Sequence, residues 1–530
     1  MHATTMPQNE EVGAPWRPPL TKILATVGPS ISHPDVIQKM MENGARLFRL
    51  NFSHGSFEEH KSRHDMIRMV SKATRTSVAI LGDLSGPKIR VTKVKPAGIV
   101  LKPGQDVLIR VDTPEAEDGT VPVLGATYSN VAREVSPGHR VLINDGHIRT
   151  LCVEKRKGEI RCRVTTGGLV TTGKGINLPD SDLTVPALTE HDWRCVDWAV
   201  EHGLDYLALS FVRSPDDVRE LSSYLSKVCT PEVCGWPMRE DGESRIPIVA
   251  KIETPQAVDR IDAILDECDG IMVARGDLGV EMDVATVPIS QKKLITAAHD
   301  HGKPAIVATQ MLESMIKSAT PTRAEVSDVA NAILDGADCV MLSAETAVGR
   351  YPHVAVETMR RVAIATESLW REQPRAAMPP GRGRASGVVA AAVAHGAWHV
   401  AHDVDARLIV VWSQRGSGAR LLSRNNFNVP IIAFSADVKS VRRMNLLYGV
   451  YPIWMGEVPE HRSDFATVVD RLVLERGLAQ RGDPMLLLGG KPLDAPKSLN
   501  TLAVRFAGDL IGEGEIQESA EPTALADANL

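Results

Sequence analysis

Aromatic residues make up only 4% of this 530-residue chain, and neither sign of charge dominates it. The 60 basic and 66 acidic residues leave a net charge of −6, which gives no general attraction for nucleic acid or an anionic membrane surface. No apolar run is long enough to cross a bilayer. The N-terminal MHATTMPQNEEVGAPWRPP is polar and proline-rich, without the apolar core of a signal peptide. Cysteine is scarce too. Seven is an odd number, and Cys195, Cys268 and Cys339 sit in apolar contexts, so buried free thiols in a reducing compartment are expected rather than a disulfide framework. Cys229 and Cys234 are the closest pair, but no second ligand pair follows, which argues against zinc. A soluble, cytoplasmic protein is expected, and 530 residues suggest about three or four domains.

What is present is organised around Ile246 to Glu281. Two apolar runs there end in charges: Ile248-Val249-Ala250 leads into Lys251-Ile252-Glu253, and Ile271-Met272-Val273-Ala274 into Arg275-Gly276-Asp277. Between them, Thr254 is placed to cap a helix with Pro255 in its first turn, and Val258, Ile261, Ile264 and Leu265 follow a 3.6-residue period. A strand–helix–strand unit with parallel, buried strands is expected. Side chains alternate along a strand, so Lys251 and Glu253 share a face, as would Arg275 and Asp277. Such charges at buried strand ends suit a divalent cation beside an anionic substrate. Structural salt bridges closing the strand ends are the alternative.

The same alternation fills most of the chain. TKILATVG, LFRLNFS and VAILGD read as the first three strands, with Arg49, Asn51 and Ser53 on one face of the second and Asp83 ending the third. From 87 to 182 the helical period gives way to short alternating strands, an inserted β domain placed to act as a mobile lid. Strands YLALSFV, IVAKI, IMVA, PAIVATQ and CVMLSAE complete eight βα units, a (β/α)₈ barrel over 20–86 and 183–371 with its site at the carboxyl ends of the strands. A Pro/Gly/Arg-rich linker then leads into a C-terminal α/β unit within 372–510. An arm at 1–19 is expected to be flexible and a Glu-rich tail at 511–530 to be disordered.

The motifs TKILATVGPS, FRLNFSHGS, GPKIR, KGINLP, SFVRS, AKIE, MVARGDLGVE and ATQMLESMIKSATPTRAEVSDVANAILDGADCVMLSAETA resemble those of pyruvate kinases, in the family's order over about residues 20–506. The resemblance implies a barrel A domain, a small β-barrel B domain as lid, a C-terminal C domain and a homotetramer. It implies phosphoryl transfer between phosphoenolpyruvate and ADP, giving pyruvate and ATP, with Mg²⁺ (or Mn²⁺) held by Glu253 and Asp277. It assigns Lys251 to charge on the transferring phosphoryl and the enolate, Arg49 to the phosphate, and Gly276 and Thr309 to the substrate carboxylate. A water relay near Thr309 and Ser343 would protonate the enolate. Nucleotide contacts fall on Asn51, Ser53, His54 and Arg90, with Lys174 reaching from the lid.

One motif departs from the pattern. Members that need K⁺ read D-T-K-G-P-E where this chain has Asp83-Leu84-Ser85-Gly86-Pro87-Lys88. Lys88 can supply its own positive charge beside a site of Asn51, Ser53, Asp83 and the Leu84 carbonyl, so activity without K⁺ is expected. In the C domain, the effector loop aligns with Ser413, Arg415 and Ser417; a phosphorylated effector and a purely structural loop both fit the partial match. Two rival readings are a Mg²⁺-dependent 2-oxo-acid aldolase or lyase on a similar barrel, and a catalytically silent regulatory homologue.

Overall fold

The computed structural model describes residues 16–234, 244–372, 388–459, 461–490 and 499–511. Most of the N-terminal arm, the polar loop at 235–243, the linker at 373–387 and the tail beyond 511 lie outside the described residues.

Eight short strands close the barrel: β1 Lys22–Thr26, β2 Ala45–Asn51, β3 Ala79–Asp83, β4 Tyr206–Leu209, β5 Ile248–Ile252, β6 Gly270–Ala274, β7 Ala305–Ala308 and β8 Cys339–Leu342. All pair in parallel with their neighbours in sequence, and β8 returns to β1. Their apolar runs are continuous because both faces are covered. Leu24, Leu47, Leu81, Val249, Met272 and Ile306 fill the interior, with Leu446 of the C-terminal domain in the same cluster. Ile23, Phe48, Ile80, Ala250, Ile271 and Val307 face the surrounding helices.

Thr254 does cap the helix after β5, accepting from the Ala257 N–H, but that helix breaks at Arg260 into Pro255–Asp259 and Ile261–Glu267. The pairing of Arg275 with Asp277 across one strand face is wrong. β6 ends at Ala274, and both residues belong to a helix, Arg275–Glu281, so a 3.6-residue period sets their directions. Gly276 admits the turn: a methyl group there would lie 3.3 Å from Thr309 Oγ1. Likewise β2 ends at Asn51, leaving Ser53 in the turn beyond it.

Between β3 and β4 a six-stranded sheet and a two-stranded ribbon, Ile99–Leu101 with Gly168–Val170, enclose one apolar cluster that includes Val107, Ile109, Val141, Ile148 and Ile160. The C-terminal strands β9 Leu408–Trp412, β10 Ile431–Ser435, β11 Val450–Trp454, β12 Pro484–Gly489 and β13 Thr501–Phe506 form a sheet of order β11-β10-β9-β12-β13. Only β13 is antiparallel in it.

This sheet's helices dock on the barrel floor. The buried Arg424 guanidinium donates to Asp338 just before β8, at 2.9 Å through Nη1, and Tyr206 Oη donates to the Arg443 carbonyl at 2.7 Å. The expectation of free thiols fails for one pair: Cys229 and Cys234 are disulfide-bonded. Pro231 starts a single helical turn, Pro231–Cys234, that brings their Cα atoms to 5.5 Å. The other five cysteines are free and buried.

Candidate active site

The ends of β2, β3, β4 and β5, with the residues just after them, bring their charges together at the carboxyl-end mouth in alternating sign. Arg49 near the end of β2 donates through Nε to Asp83 at 2.6 Å and through Nη1 to Thr26 Oγ1 at 3.1 Å. Asp83 ends β3, with its second oxygen 3.3 Å from Lys251 Nζ of β5. Lys251 Nζ also lies 3.0 Å from Glu253 and donates to Ser210 Oγ at 2.6 Å, while Ser210 donates to the Leu84 carbonyl at 2.7 Å. Glu253 accepts from the Phe211 N–H at 2.6 Å. Arg49, Asp83, Lys251 and Glu253 thus form one chain of opposite charges, with Asp83 and Glu253 each 1% exposed.

Burial alone would neutralise this chain; pairing opposes it. Burial raises Asp83, but Lys251 and Arg49 more than offset it and hold the carboxyl below its ordinary range. Burial works against the Lys251 ammonium, yet Asp83 and Glu253 keep its pKa above the usual value. Glu253 stays raised, because burial and the Asp277 charge outweigh its contact with Lys251. Two carboxylates that repel in a buried site, with a fixed lysine on one side, favour a cation on the other.

The donor set fits a hard divalent ion. The Asp277 carboxylate makes no hydrogen bond or ion pair among the described residues, and Asp277 sits in the first turn of the Arg275–Glu281 helix. No cluster of three or more metal-ligating side chains occurs among the described residues. Mg²⁺ needs only one or two carboxylates, taking its remaining oxygens from water and substrate.

The opposite side of the mouth is held by strained backbone. Thr309 and Gln310, straight after β7, have φ of +70° and +55°; on the charged side Phe211, whose N–H holds Glu253, has +54°. Left-handed conformations at bulky residues persist where surroundings enforce them, and they gather at functional sites. Here Thr309 Oγ1 accepts from the Gly276 N–H at 2.7 Å and donates to the Ala308 carbonyl at 2.6 Å. Arg275 turns aside to Asp328 at 2.7 Å and donates to the Thr309 carbonyl at 2.8 Å. Arg275 therefore braces Thr309 instead of joining the charged chain.

The remaining candidates spread outward. Asn51 Oδ1 accepts from the Ser53 N–H at 3.2 Å, and Ser53 and His54 are exposed in that turn. In the lid, Arg90 donates to the Gly173 carbonyl at 3.0 Å and Lys174 is half-buried beside it. Lys88 lies 3.4 Å from Asp145 of the lid. Ser343 Oγ is buried with no partner among the described residues, while Glu345 is spent on the Ser343 and Leu312 N–H groups. In the C domain, Ser413 Oγ accepts from the Ala419 N–H at 3.1 Å; Arg415 is exposed and Ser417 opens the helix Ser417–Ser423. Thr26 joins the site unmarked in the sequence, its only signal a hydroxyl ending a buried strand.

Comparison with known proteins bears on this arrangement. Residues 19–356 match the pyruvate kinase barrel domain and residues 391–505 the pyruvate kinase alpha/beta domain. The chain belongs to the pyruvate kinase family. It is 38% identical to a pyruvate kinase of Corynebacterium efficiens over 92% of this chain and 98% of that one, and 36% identical to that of Mycobacterium tuberculosis over the same shares. A crystal structure of a pyruvate kinase from Cryptosporidium parvum superposes with a TM-score of 0.82 at 34% identity, covering 92% of this chain and 96% of that one. The chain is accordingly a glycolytic phosphotransferase acting between phosphoenolpyruvate and ADP. Its family depends on a divalent cation. The aldolase alternative falls, because the match runs through the lid and the C-terminal domain. No described helix is long and apolar enough to cross a membrane.

Proposed function

We propose that this pyruvate kinase family member carries out transfer at the charged chain described above, with Mg²⁺ or Mn²⁺ held by Glu253 and Asp277. The observation that carries the reading is Lys251, fixed between Asp83, Glu253 and Ser210 with its ammonium facing the mouth. A loosely bonded, metaphosphate-like group needs positioning and positive charge more than covalent help. The divalent ion, when bound, neutralises phosphoryl and carboxylate oxygens. Lys251 stabilises charge on the phosphoryl group and on the enolate that remains. Arg49, oriented by Asp83 and Thr26, clamps the phosphate. Gly276 and Thr309, bonded to one another at 2.7 Å, exchange that bond for the substrate carboxylate, and Ser343 Oγ, lacking a protein partner among the described residues, is suited to a water that protonates the enolate.

Asn51, Ser53, His54, Arg90 and Lys174 take the nucleotide across the gap between barrel and lid. K⁺ is not required in this reading: Lys88 stands where K⁺-dependent members carry glutamate and brings a positive charge of its own. The enzyme works as a homotetramer in the cytoplasm, and the Ser413, Arg415 and Ser417 loop binds a phosphorylated effector. A lactate dehydrogenase-coupled assay with phosphoenolpyruvate, ADP and Mg²⁺ tests the central reading. Pyruvate formation that depends on ADP is expected; pyruvate released equally well without ADP overturns it.

A further inference from the structure

The Arg275–Glu281 helix has two ends with different neighbours. Its first turn carries Gly276 and Asp277 into the mouth of the barrel. Its last residue, Glu281, accepts a 2.7 Å hydrogen bond from Asn177 Nδ2. Asn177 belongs to the short strand Ile176–Asn177, by which the lid returns toward the barrel, paired with Arg140–Ile143 of the lid. A second touch lies one residue away: a methyl group on Gly146 of the lid would sit 3.5 Å from Val280 Cγ1. Seven residues span about 10 Å of helix, so one rigid rod joins the lid's return strand to the cation site.

The contact is an expensive way to fill space. Glu281 and Asn177 are each 7% exposed, and Asn177 Oδ1 is buried with no partner among the described residues. A carboxyl buried against one amide costs more than two apolar side chains of the same shape. Around it stand Asp277 on its own helix and Arg140 and Asp180 from the lid; Lys88 and Arg213 line the same hinge cleft. Burial pushes the Glu281 carboxyl up to about 7; Asn177 and Arg140 pull the other way, and Asp277 and Asp180 add to the rise. A protonated Glu281 would carry the donor that Asn177 Oδ1 lacks.

We propose that Glu281 is a positioning residue of the transfer reaction: through Asn177 it couples the seating of the lid to the orientation of Asp277. This rests on the function proposed above. When the lid settles, the Asn177–Glu281 bond fixes the far end of the helix, and Asp277 meets the cation in one geometry. With the bond cut, the lid closes without setting that geometry.

The test compares wild type, Glu281→Gln, Glu281→Ala and Asn177→Ala. Glutamine keeps the shape and both hydrogen-bonding senses. The readouts are kcat and KM for each substrate, the pH profile of kcat from 6 to 8.5, and Mn²⁺ affinity by electron paramagnetic resonance without substrates. Displacements near 1 Å cost about 100-fold in rate, so Glu281→Ala and Asn177→Ala are expected to lose about 10- to 100-fold in kcat. The KM for phosphoenolpyruvate should change little, and Mn²⁺ should bind more weakly. Glu281→Gln should recover most of the rate and lose any inflection near pH 7. Wild-type kcat and Mn²⁺ affinity in both alanine variants overturn the proposal, as does a glutamine variant as impaired as alanine. If the alanine variants fail to fold, the glutamine variant decides through rate and pH profile. A wild-type protein without ADP-dependent turnover would instead overturn the underlying function, whatever the variants do.

Discussion

Lys251 Nζ stands 3.0 Å from Glu253 and 3.3 Å from Asp83, so one ammonium is shared by two buried carboxylates from neighbouring parts of the barrel. Among the described residues Asp83 has one further cationic partner, Arg49, and Glu253 has none. Replacing Lys251 with methionine keeps the length and removes the charge. Losses of about 100- to 1,000-fold in kcat are expected from removing one electrostatic contact to the transition state. Steady-state kinetics by the coupled assay checks this; a variant with full turnover sinks the role given to Lys251.

Removal of K⁺ is a separate matter. Activity measured in tetramethylammonium chloride should stay within about twofold of that in KCl at equal ionic strength, a spread too small to reflect a lost charge contact. A collapse of kcat in the organic cation would show that Asp83 and its neighbours need K⁺ after all.

Thr309 sets stability against activity. Its backbone is left-handed at φ +70°, a strain worth about 1–3 kcal/mol for a branched residue. Thr309→Gly relieves that strain and deletes the hydroxyl that accepts from Gly276. The melting temperature should hold or rise while kcat/KM falls by at least about tenfold, the scale of one lost hydrogen bond to a charged group. A drop in both, measured by calorimetry and kinetics, would mean the strain is not stored there.

Beneath the barrel, Asp338 accepts from Arg424, from the Ala305 N–H at 2.8 Å and from the Tyr448 N–H at 3.4 Å. Asp338→Ala leaves a buried guanidinium uncompensated, and a loss of about 3–5 kcal/mol is expected. Urea unfolding should show it, and a change below about 1 kcal/mol would count against the pair as a link between domains.

Acid should act through Asp83. Its folded pKa lies below the ordinary 3.8, so the unfolded chain takes up this proton first as pH falls. The stability it contributes is complete above that ordinary value and is lost as pH drops through the lower folded value. The stability gap between wild type and Asp83→Asn should therefore be constant near neutrality and narrow below about pH 4. A gap that widens in acid would reverse the sign of the interaction.

The eight-strand barrel was legible in the sequence because a strand buried on both faces must read as an unbroken apolar run, and eight such runs separated by helical periods leave few alternatives. Lys251, Glu253 and Arg49 were legible for a related reason: a charge ending such a run has to be paired or used. Period-two reasoning failed at Arg275 and Asp277, since the sequence does not mark where the barrel stops supplying a neighbouring strand. Cys229 and Cys234 eluded composition because their bond depends on one local helical turn. Only the tertiary structure decided the partners. That Thr26 meets Arg49, that Arg275 braces Thr309, and that Glu281 meets Asn177 104 positions earlier are outcomes of barrel closure and lid docking. Local sequence fixes where a side chain leaves its own element; what it meets depends on how distant elements pack, which no short-range period encodes.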